Sequence, residues 1–457
     1  MTLITSLTRG LGQSEIMRIW GRVLSIDQTT LRIGGLNALA CVGDGVEIEV
    51  AGGDKPSIFG EIVAFTEANC IIYAFDRLTG VRIGDRAKLV SFAHTHPNNS
   101  WLGNMIDARG NLADGLPAEK GPIPLKVDAP APPAALRRGF GTRMASGMNA
   151  FDTFLPLCRG QRIGLFAAPG VGKSSLIASL ANRAEADVVV VALIGERGRE
   201  VRAFFHHELS DDVRERTVLF AATSDQAAPL KRRAAMTAMC AAEHFRDQGK
   251  HVLLLFDSLT RYADAHREIA LAGGEPASLR AYPPSTFQML SSLVERAGPG
   301  IEDDGPAGSG DITAVFTVLA AGGDMDEPIP DAVRGFLDGH VILDRAIAER
   351  GRFPAIDILR SASRALPGAA SQEENDILRD ARTLLGAYRD GEIMVKAGLY
   401  EAGSDPTLDL AVNRFAALDE FISQESDTPE NAFAALRNII ATGNPAADET
   451  AQTAPTE

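Results

Sequence analysis

Ala167-Ala168-Pro169-Gly170-Val171-Gly172-Lys173-Ser174 follows the apolar run 162–166 and leads into Ser175-Leu176-Ile177-Ala178-Ser179-Leu180. Strand, glycine-rich turn and helix start, in that order, mark a phosphate-binding loop. Gly170 and Gly172 let backbone N–H groups close around an anion, and the new helix adds its positive end. Lys173 has the reach for the β- and γ-phosphates, and the Ser174 hydroxyl is a ligand for Mg²⁺. The first glycine of the pattern is replaced by Ala167. Residues 169–175, namely Pro169, Gly170, Val171, Gly172, Lys173, Ser174 and Ser175, are thus the expected cradle of a nucleoside triphosphate.

The 457 residues exceed one ordinary domain, and 45% hydrophobic residues supply a sizeable core. A net charge of −15 argues against a protein that coats nucleic acid or an anionic membrane. Cys41, Cys70, Cys158 and Cys240 lie far apart without C-x-x-C spacing, which fits isolated thiols in a reducing cytosol. The first ten residues carry no long apolar segment, and no uncharged span of about 20 apolar residues occurs anywhere. A cytoplasmic protein is expected, peripheral at the inner membrane through partners only.

Outward from the loop the chain divides into five stretches. Residues 1–18 form an N-terminal segment. Residues 19–94 hold short alternating runs such as Gly21-Arg22-Val23-Leu24-Ser25-Ile26, separated by Gly/Asp turns, as in a small β-barrel or sandwich. Residues 95–370 begin with a Pro/Gly/Ala-rich connector over 111–139, then alternate strands and helices as a mostly parallel sheet does. The runs 187–194, 251–256 and 312–320 are near-continuously apolar, as strands buried on both faces should be. Between the first two, residues 226–245 predict a helix capped by Ser224 or Asp225. Residues 371–440 have helical periodicity, and the tail 441–457 has a disordered composition.

A phosphate loop alone does not separate hydrolysis from binding. Asp257 ends the apolar strand 252–256, where a carboxylate holds Mg²⁺ in doubly wound sheets, although such a residue also caps turns. Glu196, in Gly195-Glu196-Arg197-Gly198-Arg199-Glu200, falls at the carboxyl edge of the sheet, where it could polarise an attacking water. Taken alone, that charged cluster reads as a solvated turn. A fixed guanidinium would stabilise the transferring phosphoryl group, and Arg197, Arg261 and Arg364 are the candidates. Arg364 lies beyond the third strand, a position suited to a neighbour's site. His94 and His96 have no accompanying carboxylate cluster and read as a loop.

The chain resembles the flagellar and virulence type III export ATPases, relatives of the rotary F-type ATP synthase subunits. The resemblance rests on Gly160-Gln161-Arg162, Gly195-Glu196-Arg197-Gly198-Arg199-Glu200-Val201 and Asp257-Ser258-Leu259-Thr260-Arg261-Tyr262-Ala263. It continues through Gly274-Glu275-Pro276, Tyr282-Pro283-Pro284-Ser285, Asp331-Ala332-Val333-Arg334-Gly335, Arg352-Phe353-Pro354 and Gly403-Ser404-Asp405-Pro406, covering about residues 19–425. It implies a multidomain α/β fold: a small N-terminal β-barrel, a central RecA-like P-loop domain and a C-terminal helical domain, six to a ring. It implies ATP as substrate with Mg²⁺, Glu196 as the water-positioning carboxylate, and Lys173, Ser174 and Asp257 on the phosphates and metal. Arg197 and Arg261 would line the site, and Arg364 would reach the adjacent subunit. Phe353, with Tyr400 as its partner, would stack on adenine. Implied partners are further copies of the chain, stalk and regulator or stator proteins, the membrane export gate, and secreted substrates with their chaperones, but no nucleic acid. Departures from the pattern are Ala168-Pro169, where relatives often have Gly-Ser, and Asp264 and His266.

Glu196 and Arg364 on one chain permit a homohexamer whose every interface is complete. A flagellar export ATPase is the leading expectation and an injectisome ATPase the alternative. A rotary synthase subunit, an RNA-translocating ring and a non-catalytic nucleotide-binding scaffold are further readings. The 257–262 run and the Gly-Glu-Pro loop speak against the first of these, and the acidity against the second.

Overall fold

The computed structural model describes residues 18–50, 56–278, 281–301 and 310–442. The expected N-terminal segment up to residue 17 and the tail beyond 442 lie outside the described residues. The first described unit is a closed six-stranded barrel: β1 (Trp20–Ile26), β2 (Thr30–Gly34), β3 (Gly45–Glu49), β4 (Ser57–Phe65), β5 (Asn69–Ala74) and β6 (Arg86–Val90). Their spatial order is β1-β2-β5-β4-β3-β6, all neighbours antiparallel. Alternate residues such as Val23, Leu31, Ile33, Val46, Ile48 and Ile72 turn inward to one core. Barrel and sandwich share this alternation; pairing of Trp20 with Lys88 closes the barrel and removes the open edge.

Within the connector β9 (Leu125–Lys126) pairs with β7 (His94–Thr95), which precedes it, so the connector is anchored rather than merely extended. His96 Nδ1 lies 3.3 Å from the Gly121 carbonyl. The central sheet contains β8 (Asn104–Ile106), β10 (Arg162–Ala167), β11 (Val188–Glu196), β12 (Thr217–Thr223), β13 (His251–Asp257), β15 (Asp311–Leu319), β16 (Gly339–Leu343) and β17 (Ala362–Ser363). The order runs β17-β16-β10-β15-β13-β11-β12-β8, with β14 (Gly298–Pro299) added antiparallel to β15. All other pairs are parallel except β16 with β17.

Period-two alternation divides each central strand between two cores. Val189, Val191 and Leu193 of β11 join one cluster with Leu176 and Leu180, while Val188, Val190, Ala192 and Ile194 join the other with Ala235 and Met239. A one-residue slip would exchange these faces and push each side chain into a space shaped for another, so close packing on both sides holds the register and with it the level at which the strand ends stand. The helices that cover the sheet are α1 (Lys173–Arg183), α2 (Gly198–Ala203), α3 (Ala228–Arg246), α4 (Leu259–Ala272) and α5 (Ser285–Arg296). Helix α3 starts at Ala228, later than expected, and neither Ser224 nor Asp225 caps it. Pro229 in its first turn sets the start, and Ala227 stands at the cap without a side-chain bond.

Arg296 of α5 is bound through Nε and Nη2 to Glu243 of α3 at 2.8 and 2.6 Å, and its Nη1 donates to the Val127 carbonyl at 2.7 Å. This buried fork ties two helices to the connector. Glu243→Ala leaves the guanidinium buried without its counter-charge and should destabilise the central domain by about 3–5 kcal/mol, read as a lower denaturation midpoint.

The C-terminal part is helical: α6 (Gln372–Lys396), α7 (Pro406–Ser423) and α8 (Pro429–Thr442). Ser371 and Glu374 form a reciprocal capping box at the start of α6. Leu385, Phe421 and Leu436 share the core that contains Phe151 and Phe154, and the Phe154 and Phe421 rings meet edge-on at 6.4 Å.

Candidate functional site

At the carboxyl end of β10 the chain turns through Gly170 and Gly172, whose φ angles are +82° and +85°. L side chains rarely adopt this conformation, and glycine takes it without a steric cost. Buried Val171 anchors the turn, while Pro169, Gly170, Ser174 and Ser175 are exposed around it. Gly172 is the residue before α1, and a Cβ there would stand 3.0 Å from the Phe353 ring. Phe353, half exposed, therefore borders the loop through a contact between residues 181 positions apart.

The Lys173 ammonium bonds Asp257 Oδ1 and lies 3.5 Å from Glu196 Oε1. Asp257 is almost fully buried at the end of β13, and Thr317 of β15 donates to the same Oδ1 at 2.6 Å. Adjacent parallel strands thus deliver Lys173, Thr317, Asp257 and Glu196 to one edge of the sheet. Sequence reasoning does not single out Thr317, which is one of two threonines, with Thr313, inside the apolar strand β15. Ser174 follows Lys173 in the first turn of α1, adjoining the same edge.

Glu196 ends β11 just after Gly195, where the register with β12 shifts. Gly195 has φ +75°, and a Cβ there would meet the Arg261 side chain at 3.3 Å. Arg261 is held at the start of α4, whose cap Ser258 accepts from the Arg261 amide at 3.2 Å. Arg197 points to a different partner: it is largely exposed and pairs with Glu200 at 3.2 Å. Burial raises the Glu196 carboxyl above its ordinary range, Lys173 opposes this, and Asp257 and Glu200 push it further up.

The sign of that shift makes a prediction. A carboxylate that works deprotonated is lost as pH falls through its raised pKa, so the acid limb of kcat against pH should begin above the roughly 4.3 of an ordinary glutamate. Glu200→Gln removes one of the negative neighbours and should move that limb to lower pH.

Arg364 does not join this cluster within the chain. It is exposed, and its N–H donates to the Asp338 carbonyl at 2.9 Å beside the antiparallel pair β16–β17. Asp338 in turn receives Arg162 N and Nε, both at 3.0 Å, so Arg364 stands at the amino end of β10 and β16. Five residues of strand, about 16 Å, separate that level from the phosphate loop. Tyr400 is also apart: it lies in the loop between α6 and α7, its hydroxyl donates to Asp409 of α7, and among the described residues no ring contact joins it to Phe353.

Comparisons with known proteins converge on one group. Residues 147–363 match the ATP synthase alpha/beta family nucleotide-binding domain, and residues 370–440 match the T3SS EscN ATPase C-terminal domain. The chain is 43% identical over 442 residues to the flagellum-specific ATP synthase of Caulobacter vibrioides, covering 95% of this chain and 99% of that protein. It is 39% identical to the SPI-2 type 3 secretion system ATPase of Salmonella typhimurium, covering 92% and 95% of the two. Among solved structures, the assembled ATPase EscN of the enteropathogenic E. coli type III secretion system matches with a TM-score of 0.84 at 36% identity, over 92% of this chain and 100% of that one. EscN in complex with its central stalk EscO matches at 0.81, with the same identity and coverage.

Proposed function

Because the chain belongs to the flagellar and type 3 secretion ATPases of the ATP synthase alpha/beta family, we propose that it hydrolyses ATP at the interfaces of a homohexameric ring serving flagellar protein export. The observation that carries this reading is a split site: Lys173, Glu196 and Asp257 converge on one sheet edge, whereas Arg364 stands at the other end of the same sheet. A protomer so built cannot close its own site, and a ring of identical copies can. The boundaries 19–94, 95–370 and 371–440 serve as its barrel, ATPase and helical domains.

The loop amides of residues 170–174 bind the phosphates, and Lys173 exchanges its carboxylate partners for phosphate oxygens. Ser174 and Asp257 are hard oxygen donors at one edge and would hold Mg²⁺, which would supply positive charge to offset that of the phosphates. Glu196, deprotonated, accepts a hydrogen bond from water and aligns it with the γ-phosphoryl group. Arg261, braced on Gly195, and Arg197 lie along the same edge, while Arg364 of each copy stabilises the charge developing in its neighbour's site. Phe353 is the adenine platform. Tyr400, occupied with Asp409, would need its loop to move before it could stack there.

A cytoplasmic ring held at the membrane by a stalk, a regulator or stator and the export gate, and acting on secreted substrates and their chaperones, completes the reading. Among the described residues no helix is long and apolar enough to cross a membrane. The flagellar branch is supported by 43% identity over nearly the whole of the Caulobacter relative. Specific ATPase activity should rise severalfold as protein concentration carries the chain from monomer to ring, and loss of the gene should abolish flagellar assembly. Activity independent of concentration would refute the interface site. Intact flagella with lost effector secretion would move the chain to the injectisome branch.

A further inference from the structure

Between the barrel and the central domain lies a cavity of about 590 Å³, bounded by Val42, Phe92, Met236, Met289 and Leu293 and by several charged groups. Those charges are almost all matched. Arg232 pairs with Glu61, and Arg296 pairs with Glu243. Lys126 lies 3.4 Å from Asp128, and Asp44 accepts the Cys41 amide at 2.8 Å. His266, pushed down to about 4 by burial and by Arg232, is neutral and bonds Ser285 at 2.8 Å.

Arg233 is the buried cation among them without an ion pair. It is 7% exposed, one Nη donates to the Phe92 carbonyl at 2.6 Å, and its guanidinium lies 4.9 Å over the Phe92 ring. Its Nε is buried without a hydrogen-bond partner, and the carboxylate that attracts it, Glu61, is already ion-paired with Arg232. A buried charge in that state costs several kcal/mol unless an anion accompanies it. The wall beside it is aliphatic and thioether, suited to an apolar body.

We propose that this cavity binds a small amphipathic organic anion, its acidic head on Arg233 and its apolar body against Met236, Met289 and Leu293. The site is separate from the phosphate loop. Helix α4 connects the two, since Tyr262 and His266 line the cavity while Arg261 braces Gly195 beside Glu196. An occupant would therefore touch the same helix that positions Arg261.

The test uses the full chain with saturating ADP and anilinonaphthalene sulfonate as the anionic probe, with uncharged phenylnaphthylamine for comparison. Cys41 lines the cavity and is the exposed cysteine, whereas Cys70, Cys158 and Cys240 are buried. The sulfonate should bind saturably and slow alkylation of Cys41 by N-ethylmaleimide about tenfold or more, and the uncharged dye should not. Arg233→Met, which keeps an unbranched apolar stem and removes the charge, should lose that protection and raise the thermal midpoint of the unliganded protein. Met236→Trp, which narrows the apolar part of the cavity and keeps the charge, gives an independent loss of binding. Equal protection by both dyes, or undiminished protection in either variant, would overturn the proposal.

Discussion

Replacing Glu196 by Gln is expected to lower ATP turnover by about 10²–10⁴-fold while leaving nucleotide affinity within a small factor of wild type. The amide keeps the size of the side chain and loses the charge that accepts the water proton. The phosphate-binding parts are elsewhere: the loop glycines, Lys173 and the start of α1 are untouched. Glu196 also lies 3.5 Å from Lys173, so removing its charge leaves the ammonium to Asp257 alone, and Asp257 is the nearer partner. Phosphate release and equilibrium ATP binding, measured on the same preparation, separate the two effects. Turnover retained with binding intact would show that Glu196 does not steer the water. Turnover and affinity lost together would make it a structural residue of the loop.

The parts of this site that a linear reading finds are those determined by neighbours in sequence. Gly170, Gly172, Lys173 and Ser174 declare themselves because turn, charge and helix start are consecutive. Asp257 stands out as a carboxylate closing an apolar run, since such runs end where the sheet meets solvent, whereas the Glu196 cluster taken alone reads as a solvated turn and gains its role only from the family pattern. Thr317 does not stand out, because its role exists only once β15 is inserted between β10 and β13, sixty residues from Asp257. The contact of Phe353 with Gly172 is equally non-local, and only the family pattern pointed to it. Closure of the barrel hangs on pairing β1 with β6, which alternation does not specify. The misplaced cap of α3 has the opposite origin: Ser224 and Asp225 are good caps locally, but Pro229 favours a start at Ala228.

Arg364→Ala should reduce turnover by about 10³–10⁵-fold, the range expected when an arginine finger is removed. That loss alone would not say whose site the residue completes. The geometry makes a sharper demand, because Arg364 is anchored through Asp338 and Arg162 at the amino end of the strands whose other end holds Lys173. If it works on a neighbour, mixing Arg364→Ala with Glu196→Gln protein must create interfaces in which the first supplies Glu196 and the second supplies Arg364. In randomly mixed rings at equal ratio, one half times one half, or about one quarter of the sites, is intact, so activity should recover to roughly that fraction of wild type. If Arg364 served its own protomer, every chain in the mixture would still lack one of the two groups and activity would stay at the level of the single variants. Phosphate release at constant total protein, followed as the mixing ratio is varied, should trace a curve with its maximum at equal parts; a flat trace in rings shown to be mixed excludes the trans arrangement.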